Sequence, residues 1–393
     1  MFFVLPTKLI FWYAERLVPR YKNKWVFGSW FGEKYNDNSR AMYEYVLREM
    51  PQIRPIWLTK NIDIYNRLKQ ENKPVAKLNS LSGILAALTS KIAFITVERE
   101  EVNGFFLNGA KLVWLYHGMV IKQIMEDEKR FVHGANYGKM GVKDRFFTFL
   151  CPYSRKLDVS SVLVTGEFFS PFFATAFNVD SSKIWKDGYP RNDELFSNKQ
   201  EPIIQVYREK FPNAKFIIHM PTHRIHGLNG RSFNPFEGFG FDKDCFLECL
   251  ERGNYVFFYK GHFYDSEGKQ DIDHERFIRI TDSDFDNLYH FVKDMDILIT
   301  DYSSIYFDFL LLKKPIILTP FDYQEYITHE RPLYYDYHKT IEGNIANDWR
   351  QVFNMLLEES YSIPSDESIS KFHAHIDGNS ANRIAQHVLN QWF

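Results

Sequence analysis

Short apolar runs alternate with helical stretches along this chain, and this alternation is the feature that most constrains its fold. In the first half, buried strands are predicted at residues 24–28, 54–58, 92–97, 112–116 and 162–165. In the second half, they are predicted at residues 215–219, 255–259, 277–280, 296–300 and 315–318. Strands that alternate with helices form parallel sheets covered by helices. The sequence therefore predicts an α/β protein with two Rossmann-like halves in series.

The predicted helices and the chain length indicate two domains. Helices are expected at residues 40–50, 80–90, 240–252, 285–293, 303–313 and 384–392. A length of 393 residues suits two domains of about 150–200 residues each. We place their boundary within 176–196, so that residues 24–185 form the first domain and 186–393 the second, with the C-terminal helices. A ligand is expected in a cleft between facing domains, near the carboxyl ends of the strands.

Charge and cysteine content exclude several classes of protein. The formal net charge is −2, which gives no electrostatic reason to expect nucleic-acid binding. Three cysteines over this length do not suit a disulfide framework, so a reducing compartment, the cytoplasm, is expected. Cys245 and Cys249 are four residues apart, but no neighbouring Cys or His pair completes a metal-ligand pattern. No Asp-x-Asp cluster accompanies the motifs below, so neither a metal nor a cofactor is expected.

The N-terminal segment, residues 1–23, suggests contact with a membrane surface. Its apolar runs are shorter than the roughly 20 residues that span a bilayer, and a signal-peptide cleavage site is absent. Residues 1–24 carry five basic side chains against one acidic side chain, interspersed with aromatic rings. This mixture is typical of a helix lying on anionic lipid, although a terminal helix packed on the domain fits equally. Residues 120–149 are similarly basic and aromatic, and either contact a membrane or form a basic surface loop.

The segment Thr300–Asp308 is the strongest candidate for phosphate binding. It places Asp301, Ser303 and Ser304 between a buried strand and a predicted helix. Hydroxyl groups and unpaired backbone N–H groups at the start of a helix form a ready phosphate site. Asp308 lies one turn after Ser304 and is predicted to share its face of the helix. Ordinary helix capping by Asp and Ser is the alternative.

A histidine follows a predicted strand in the first half. His117 and Gly118 come directly after the strand at 112–116, at the edge where ligands bind in such sheets. Imidazole titrates near neutral pH, so His117 is a candidate base for an attacking hydroxyl group. Lys122 adds a cation near a possible phosphate. A histidine at a strand end is otherwise a structural residue.

The second half repeats this arrangement. Lys260 and His262 follow the strand at 255–259, and the two histidines converge on one cleft if the halves face each other. The loop after the preceding strand adds Thr222 and Arg224.

A turn before the second half contributes a further arginine. Arg191 and Asn192 lie in the sequence Gly188–Asp193, and arginine suits bidentate contact with phosphate. A solvated turn arginine is the alternative. His219 lies inside a predicted strand and is expected in the core.

Taken in order, these segments resemble the CDP-glycerol glycerophosphotransferase family. The five motifs are His117-Gly118, Gly188–Asp193, Pro221–Arg224, Lys260–His262 and Thr300–Ser304. The resemblance covers about residues 25–370 and extends to Phe307-Asp308, Lys314–Ile317 and Asp322–Tyr326. Members are teichoic-acid primases and polymerases and related capsule enzymes.

The resemblance implies a glycosyltransferase-B-like fold whose C-terminal half holds the nucleotide of CDP-glycerol. It implies that His117 and His262 occupy positions of two catalytic histidines. It also implies diphosphate contacts from a set of arginines and serines, namely Arg191, Arg224, Ser303 and Ser304. The implied acceptor is a lipid-linked envelope molecule at the inner face of a bacterial membrane. Met119-Val120 and Phe263 depart from the family's usual Thr-Pro and Pro, which puts the acceptor and the polyol in question.

Two other functions stay open from the sequence. The first is a transferase of the same architecture that takes a UDP- or CMP-sugar, since fold does not determine the donor. A non-catalytic, nucleotide-binding assembly protein is the second. Within the family, the short N-terminal region favours a primase over a polymerase.

Overall fold

The computed structural model describes residues 15–128, 159–224, 234–261, 272–330 and 332–393. The chain divides into two compact units. The first contains Met1–His117, Val132–Asp193 and Asp377–Phe393, and the second contains Gly118–Phe131 and Glu194–Ile376.

The first unit contains a seven-stranded parallel sheet with the order β3-β2-β1-β4-β5-β6-β7. Its strands are β1 (Tyr21–Phe27), β2 (Arg54–Thr59), β3 (Val75–Lys77), β4 (Ser90–Ile95), β5 (Lys111–Trp114), β6 (Ser161–Leu163) and β7 (Ile184–Trp185). The central strands are buried because their residues are apolar on both faces, as a sheet covered by helices requires.

Helices α1 (Asp37–Glu49), α2 (Ile62–Gln70), α3 (Leu81–Thr89) and α4 (Ser170–Phe177) belong to the same unit. Polar side chains start two of them. The Asn61 side chain accepts hydrogen bonds from the first turn of α2, and the Ser80 hydroxyl accepts one from Gly83 in α3. Such caps satisfy N–H groups that have no partner inside a helix.

The second unit contains a six-stranded parallel sheet with the order β10-β9-β8-β11-β12-β13. Its strands are β8 (Lys215–His219), β9 (Tyr255–Tyr259), β10 (Phe277–Arg279), β11 (Ile297–Thr300), β12 (Ile316–Leu318) and β13 (Asn344–Ile345). Its helices are α5 (Pro202–Lys210), α6 (Lys243–Arg252), α7 (Leu288–Val292), α8 (Ile305–Leu310), α9 (Tyr323–His329), α10 (Tyr337–Thr340), α11 (Trp349–Leu357) and α12 (Asp366–Phe372).

An aromatic core fills one side of the second sheet. The His219 ring packs among four rings, those of Phe236, Phe257, Tyr259 and Trp349. Burial lowers the pKa of His219 to about 3 because the charged imidazolium loses its hydration there. His219 is therefore a neutral core residue, as the sequence predicted.

All ten predicted strands and all six predicted helices are present, with ends shifted by up to a few residues. The strands that the sequence did not predict are β3, β7 and β13, which have only two or three residues. Such short segments give no periodic pattern to detect.

The C-terminal helix, Ser380–Trp392, packs in the first unit, which differs from the predicted domain of residues 186–393. Tyr45 of α1 donates a hydrogen bond to Asn382 at 2.8 Å, and the ring of Trp185 stacks on His387 at 4.4 Å. The carboxylate of Asp193 accepts hydrogen bonds from the backbone N–H groups of Ser380 and Ala381. The helix therefore belongs with strands that lie almost 200 residues earlier in the chain.

The predicted N-terminal segment extends too far into the folded chain. Residues 1–14 lie outside the described residues, but Arg20 is already anchored in the first unit. Its guanidinium donates to four carbonyl groups, those of Ala87, Ser90, Phe106 and Asn108. Strand β1 then begins at Tyr21. No helix in the described part of the chain is long and apolar enough to cross a membrane.

We predict that Asp193→Ala lowers the free energy of unfolding by about 0.5–2 kcal/mol, the usual effect of losing a helix cap. Urea unfolding followed by circular dichroism measures this change. Asp180→Ala is the matched control, because Asp180 caps only a three-residue 3-10 helix at the surface. Equal losses in the two variants would contradict a specific role of Asp193 in attaching the C-terminal helix.

Candidate active site

In the first unit, His117 lies just beyond the carboxyl end of β5. The preceding residue, Tyr116, has a left-handed backbone with φ of +59°, which turns the chain out of the strand direction. The Nδ1 atom of His117 lies 3.4 Å from the carbonyl oxygen of Thr96, which follows β4. Because a carbonyl only accepts, Nδ1 is the donor of this contact, and Nε2 keeps its lone pair.

The protonation state of His117 depends on its surroundings. Burial lowers the pKa of His117 below its usual value, and the positive charge of Arg191 acts in the same direction. The carboxylate of Asp37 and the Thr96 carbonyl oppose this shift. The lowered pKa keeps the imidazole neutral at neutral pH, and a neutral imidazole can accept a proton from a substrate hydroxyl group.

Arg191 holds the backbone of His117. Its Nη1 atom donates to the carbonyl oxygen of His117 at 2.7 Å and to Oδ1 of Asp37 at 2.8 Å. Its backbone N–H donates to the Asn38 side chain, which in turn donates to the carbonyl oxygen of Tyr116 at 2.9 Å. Arg191, for which a solvated turn arginine was the alternative, is thus buried and ion-paired. This geometry gives Arg191 a positioning role for His117, and the phosphate contact that the resemblance implied stays a prediction.

The other members of the Gly188–Asp193 motif are structural in this unit. Gly188 has φ of +83°, and a Cβ atom there would lie 2.6 Å from the Ser380 hydroxyl oxygen. Asn192 is buried, and its backbone N–H donates to the carbonyl oxygen of Tyr189. Asn192 was predicted to bind substrate, and this role stays a prediction for a side chain that is buried in the first unit.

In the second unit, a buried arginine joins three loops at the carboxyl edge of the sheet. The Arg224 guanidinium donates to Asp301 at 2.8 Å, to Asp322 at 2.7 and 2.9 Å, and to the Thr222 carbonyl oxygen at 2.5 Å. The side chains of Arg224, Asp301 and Asp322 are at most 3% exposed. Asp301 also accepts the backbone N–H groups of Thr222 and Tyr302.

This arginine stays charged. Burial alone would lower the pKa of Arg224, but the carboxylates of Asp301 and Asp322 outweigh it and raise the pKa. The rings of Tyr302 and Tyr326 add cation–π contacts at 5.0 and 4.7 Å. Arg224 and Asp301 were predicted to contact substrate, and that contact stays a prediction. The structure pairs both side chains with one another, so that they position the loops around them.

The serines after β11 are the residues that this network leaves available. Ser303 and Ser304 are partly exposed. The backbone N–H groups of residues 303–305 donate no hydrogen bond within the described residues. Three N–H groups and two hydroxyl groups on one turn match the oxygens of a diphosphate.

Asp308 faces the other way, into the core. It is 1% exposed, and its Oδ2 atom accepts a hydrogen bond from the Tyr289 hydroxyl at 2.7 Å. The expected role of Asp308 in substrate binding stays a prediction. The first turn of α8 buries this carboxylate against α7.

The other predicted residues that the structure describes belong to the second unit. The Lys122 ammonium lies 6.0 Å from the ring of Tyr326, which also contacts Arg224. Lys260, directly after β9, forms an ion pair with Asp282 at 2.8 Å. The Thr222 hydroxyl is buried and has no partner among the described residues. Gly118 is buried at the start of the second unit. His262 lies outside the described residues, so its catalytic role stays a prediction.

Several contributing residues were missed by the sequence analysis. Asn38, the second residue of α1, anchors two backbone segments through its side-chain hydrogen bonds. The sequence gave no indication of a role for Trp30 or Asp37, because their partners in the folded chain cannot be recognised from the neighbouring residues. Asp322 lay within a family motif and was assigned no role. No group of three or more potential metal ligands occurs among the described residues.

Comparisons with known proteins agree with the architecture of this chain. A teichoic acid poly(ribitol-phosphate) polymerase of Bacillus spizizenii is 27% identical over 386 residues, which are 95% of this chain and 57% of the relative. A teichoic acid glycerol-phosphate transferase of Staphylococcus aureus is 27% identical over 381 residues, which are 94% of this chain and 93% of the relative. The chain thus spans little more than half of the first relative.

A solved structure of the wall teichoic acid polymerase TagF superposes with a TM-score of 0.70 and 22% identity, covering 99% of this chain and 94% of that one. It confirms the predicted glycosyltransferase-B-like α/β fold. Residues 10–390 match the family described as CDP-glycerol:poly(glycerophosphate) glycerophosphotransferase. The chain therefore belongs to this family of transferases.

Proposed function

We propose that this enzyme transfers glycerol phosphate from CDP-glycerol to a hydroxyl group of a lipid-linked cell-envelope acceptor and releases CMP. The observation that carries the proposal is His117, a neutral strand-end imidazole whose Nε2 has no hydrogen-bond partner among the described residues. The family description names CDP-glycerol, and a similar transferase is named for glycerol phosphate.

The reaction is a phosphoryl transfer with a single bond exchange. The acceptor hydroxyl oxygen forms a bond to the β-phosphorus, and the bond from that phosphorus to the oxygen bridging to CMP breaks. His117 takes the proton of the attacking hydroxyl at Nε2. CMP leaves with the electron pair of the broken bond, so the departing phosphate needs stabilisation of its charge more than a proton.

The donor diphosphate is assigned to the turn after β11. The Ser303 and Ser304 hydroxyls and the N–H groups of residues 303–305 supply hydrogen bonds without a competing internal partner. The Arg224 network fixes this turn through Asp301, so the donors are held in place before the ligand arrives. Such preorganisation lowers the cost of stabilising charge as it develops. Lys122, Lys260 and His262 are further candidates for stabilising the negative charge on the departing phosphate.

We predict that His117→Ala lowers kcat by about 10²–10⁴-fold, the usual contribution of a general base. CMP release from CDP-glycerol in the presence of acceptor measures it, with UDP- and CMP-sugars as alternative donors. His387→Ala, which removes an imidazole that pairs with Asp187 in the same unit, is the control. If the nucleotide is released from a sugar nucleotide but not from CDP-glycerol, the donor is not CDP-glycerol. If the His117→Ala enzyme is fully active, His117 is not the base.

The pH profile follows from the lowered pKa of His117. A base must be unprotonated, so activity falls only when the pH drops through the pKa of the group. Because burial places that pKa below 6.5 in the free enzyme, the acid limb of kcat/KM, which reports groups of the free enzyme, should lie below pH 6.5. An acid limb above pH 6.5 would show that another group limits the reaction.

We predict that Ser303→Ala together with Ser304→Ala weakens binding of both CMP and CDP-glycerol. Loss of two hydrogen bonds to charged oxygens, each worth about 1.5–3 kcal/mol, should raise Kd by at least tenfold. Isothermal titration calorimetry measures both affinities, and Ser370→Ala, an exposed serine in α12, is the control. Unchanged affinity in the double variant would place the diphosphate elsewhere.

A membrane contact is the second part of the proposal. Lys22, Arg54, Lys91 and Lys111 lie at the starts of β1, β2, β4 and β5, which are neighbours in the parallel sheet. Arg54, Lys91 and Lys111 form no ion pair with an acidic side chain within the described residues, whereas the Lys22 ammonium donates a hydrogen bond to the main-chain oxygen of Phe393 at 2.7 Å. The exposed side chains of Leu17 and Tyr21 lie beside this basic edge. Basic residues with apolar neighbours suit anionic lipid headgroups, and each contributes on the order of 1 kcal/mol near such a surface.

The truncation that tests this contact must spare Arg20. We predict that removal of residues 1–14, or replacement of the four basic residues by Gln, reduces flotation with anionic liposomes. Activity on a short soluble acceptor should persist in both proteins, since a soluble acceptor can be reached without contact with lipid. Equal flotation of wild type and both variants would move the contact elsewhere, with residues 120–149 next. Mass analysis of the product distinguishes the addition of one glycerol phosphate from the formation of a polymer. The single addition stays a prediction.

A further inference from the structure

Asp37, at the first position of α1, contacts both neighbours that hold His117 in place. Its Oδ1 atom accepts the hydrogen bond of Arg191 at 2.8 Å, and the same Arg191 nitrogen donates to the His117 carbonyl oxygen. Its Oδ2 atom accepts the indole N–H of Trp30 at 3.1 Å. The Trp30 ring packs against the His117 ring with centroids 5.5 Å apart. One carboxylate thus fixes the histidine from its backbone and from its ring.

The backbone around this carboxylate is strained. Trp30, Asp37 and Tyr116 have φ values of +44°, +62° and +59°, in the left-handed region that side chains other than glycine rarely occupy. Such conformations persist only where surrounding contacts determine them, and they concentrate at functional sites. Here the contacts are the two hydrogen bonds to Asp37 and the Asn38 bond to Tyr116.

Asp37 is also enclosed by the unit. Its side chain and that of Arg191 are each 8% exposed. Water screens the charges of such a buried pair only weakly. The Asp37 carboxylate therefore acts on nearby groups more strongly than a carboxylate at the surface does. The histidine is the nearby titrating group.

We propose that Asp37 is the positioning residue of this active site, which sets the orientation and the proton affinity of His117 through Arg191 and Trp30. The proposal rests on the assignment of His117 as the base. Asp37 itself does not take the proton of the acceptor, because both of its oxygens are occupied by hydrogen-bond donors.

The charged and polar groups that influence the titration of His117 come from three elements. Asp37 approaches from the start of α1, Arg191 from the 3-10 helix Pro190–Phe196, and the Thr96 carbonyl from the end of β4. Behind Thr96, the buried carboxylate of Glu101 accepts hydrogen bonds from the Thr96 N–H and hydroxyl. Asp37 stabilises the imidazolium and Arg191 destabilises it. Removing the charge of Asp37 alone therefore lowers the pKa of His117.

The test is Asp37→Asn, which keeps the shape but removes the charge. We expect kcat to fall by about 10–100-fold, the size of effect that misplacing a reacting group produces. The acid limb of the pH profile should move to lower pH, while KM for the donor stays the same. Asp63→Asn, at a comparable first-turn position of exposed α2, should leave all three unchanged.

A second measurement separates this inference from the proposed function. Histidine NMR of the ligand-free enzyme, with the signal assigned by His117→Gln, follows the titration of His117 without any turnover. A lower pKa in Asp37→Asn supports the inference even if the enzyme does not use CDP-glycerol. An unchanged titration together with an unchanged acid limb overturns it, whatever happens to kcat.

Trp30→Phe tests the second arm and covers the case in which Asp37→Asn does not fold. It keeps an aromatic ring against His117 but removes the indole donor to Asp37. We expect a fall in kcat of several-fold with an unchanged KM for the donor. Wild-type kcat in folded Trp30→Phe, with wild-type titration of His117, would overturn the role of this arm.

Discussion

Buried pairing between a guanidinium and carboxylates holds the functional loops of each unit. Arg191 pairs with Asp37 in the first, and Arg224 pairs with Asp301 and Asp322 in the second. Each arginine also donates to a backbone carbonyl of its own site, that of His117 or of Thr222. Removing one member of such a pair leaves an uncompensated charge inside the protein, which typically costs about 3–5 kcal/mol. The loops beyond the strands therefore cannot move without breaking an ion pair.

This dependence explains what the sequence could and could not reveal about the site. Residue types and their strand-end positions marked His117, Ser303 and Ser304, since both properties are local. Residue type suggested a phosphate contact for Arg191, and the family resemblance implied one for Arg224. Neither inference could include the ion pairs, because an arginine near a glycine or proline turn has no visible partner in sequence. Their partners lie far along the chain: Asp37 is 154 residues from Arg191, and Asp322 is 98 residues from Arg224. Whether an arginine is a ligand or a scaffold depends on such distant neighbours.

The fold shows the same division between local and distant information. Long buried strands could be predicted because a run of apolar residues in the sequence indicates a buried segment. Strand β13 has only two half-buried residues and therefore no such run. The membership of the C-terminal helix depended on Asp193, which caps it from 187 residues away. The role of Arg20 depended on four carbonyls between residues 87 and 108. Counting Arg20 as a membrane-facing charge was therefore wrong.

The charge balance around His117 gives these structural residues a chemical consequence. A lone carboxylate beside a histidine stabilises the imidazolium, and a protonated histidine cannot serve as a base. Arg191 offsets part of the effect of Asp37 while it also holds the His117 backbone, and burial, the largest influence, keeps the pKa of His117 below its usual value. Asp37 accepts hydrogen bonds from Trp30 and Arg191, and hydrogen bonds to a neutral acceptor in its place would be weaker. The buried ion pair thus fixes the position of the imidazole without protonating it.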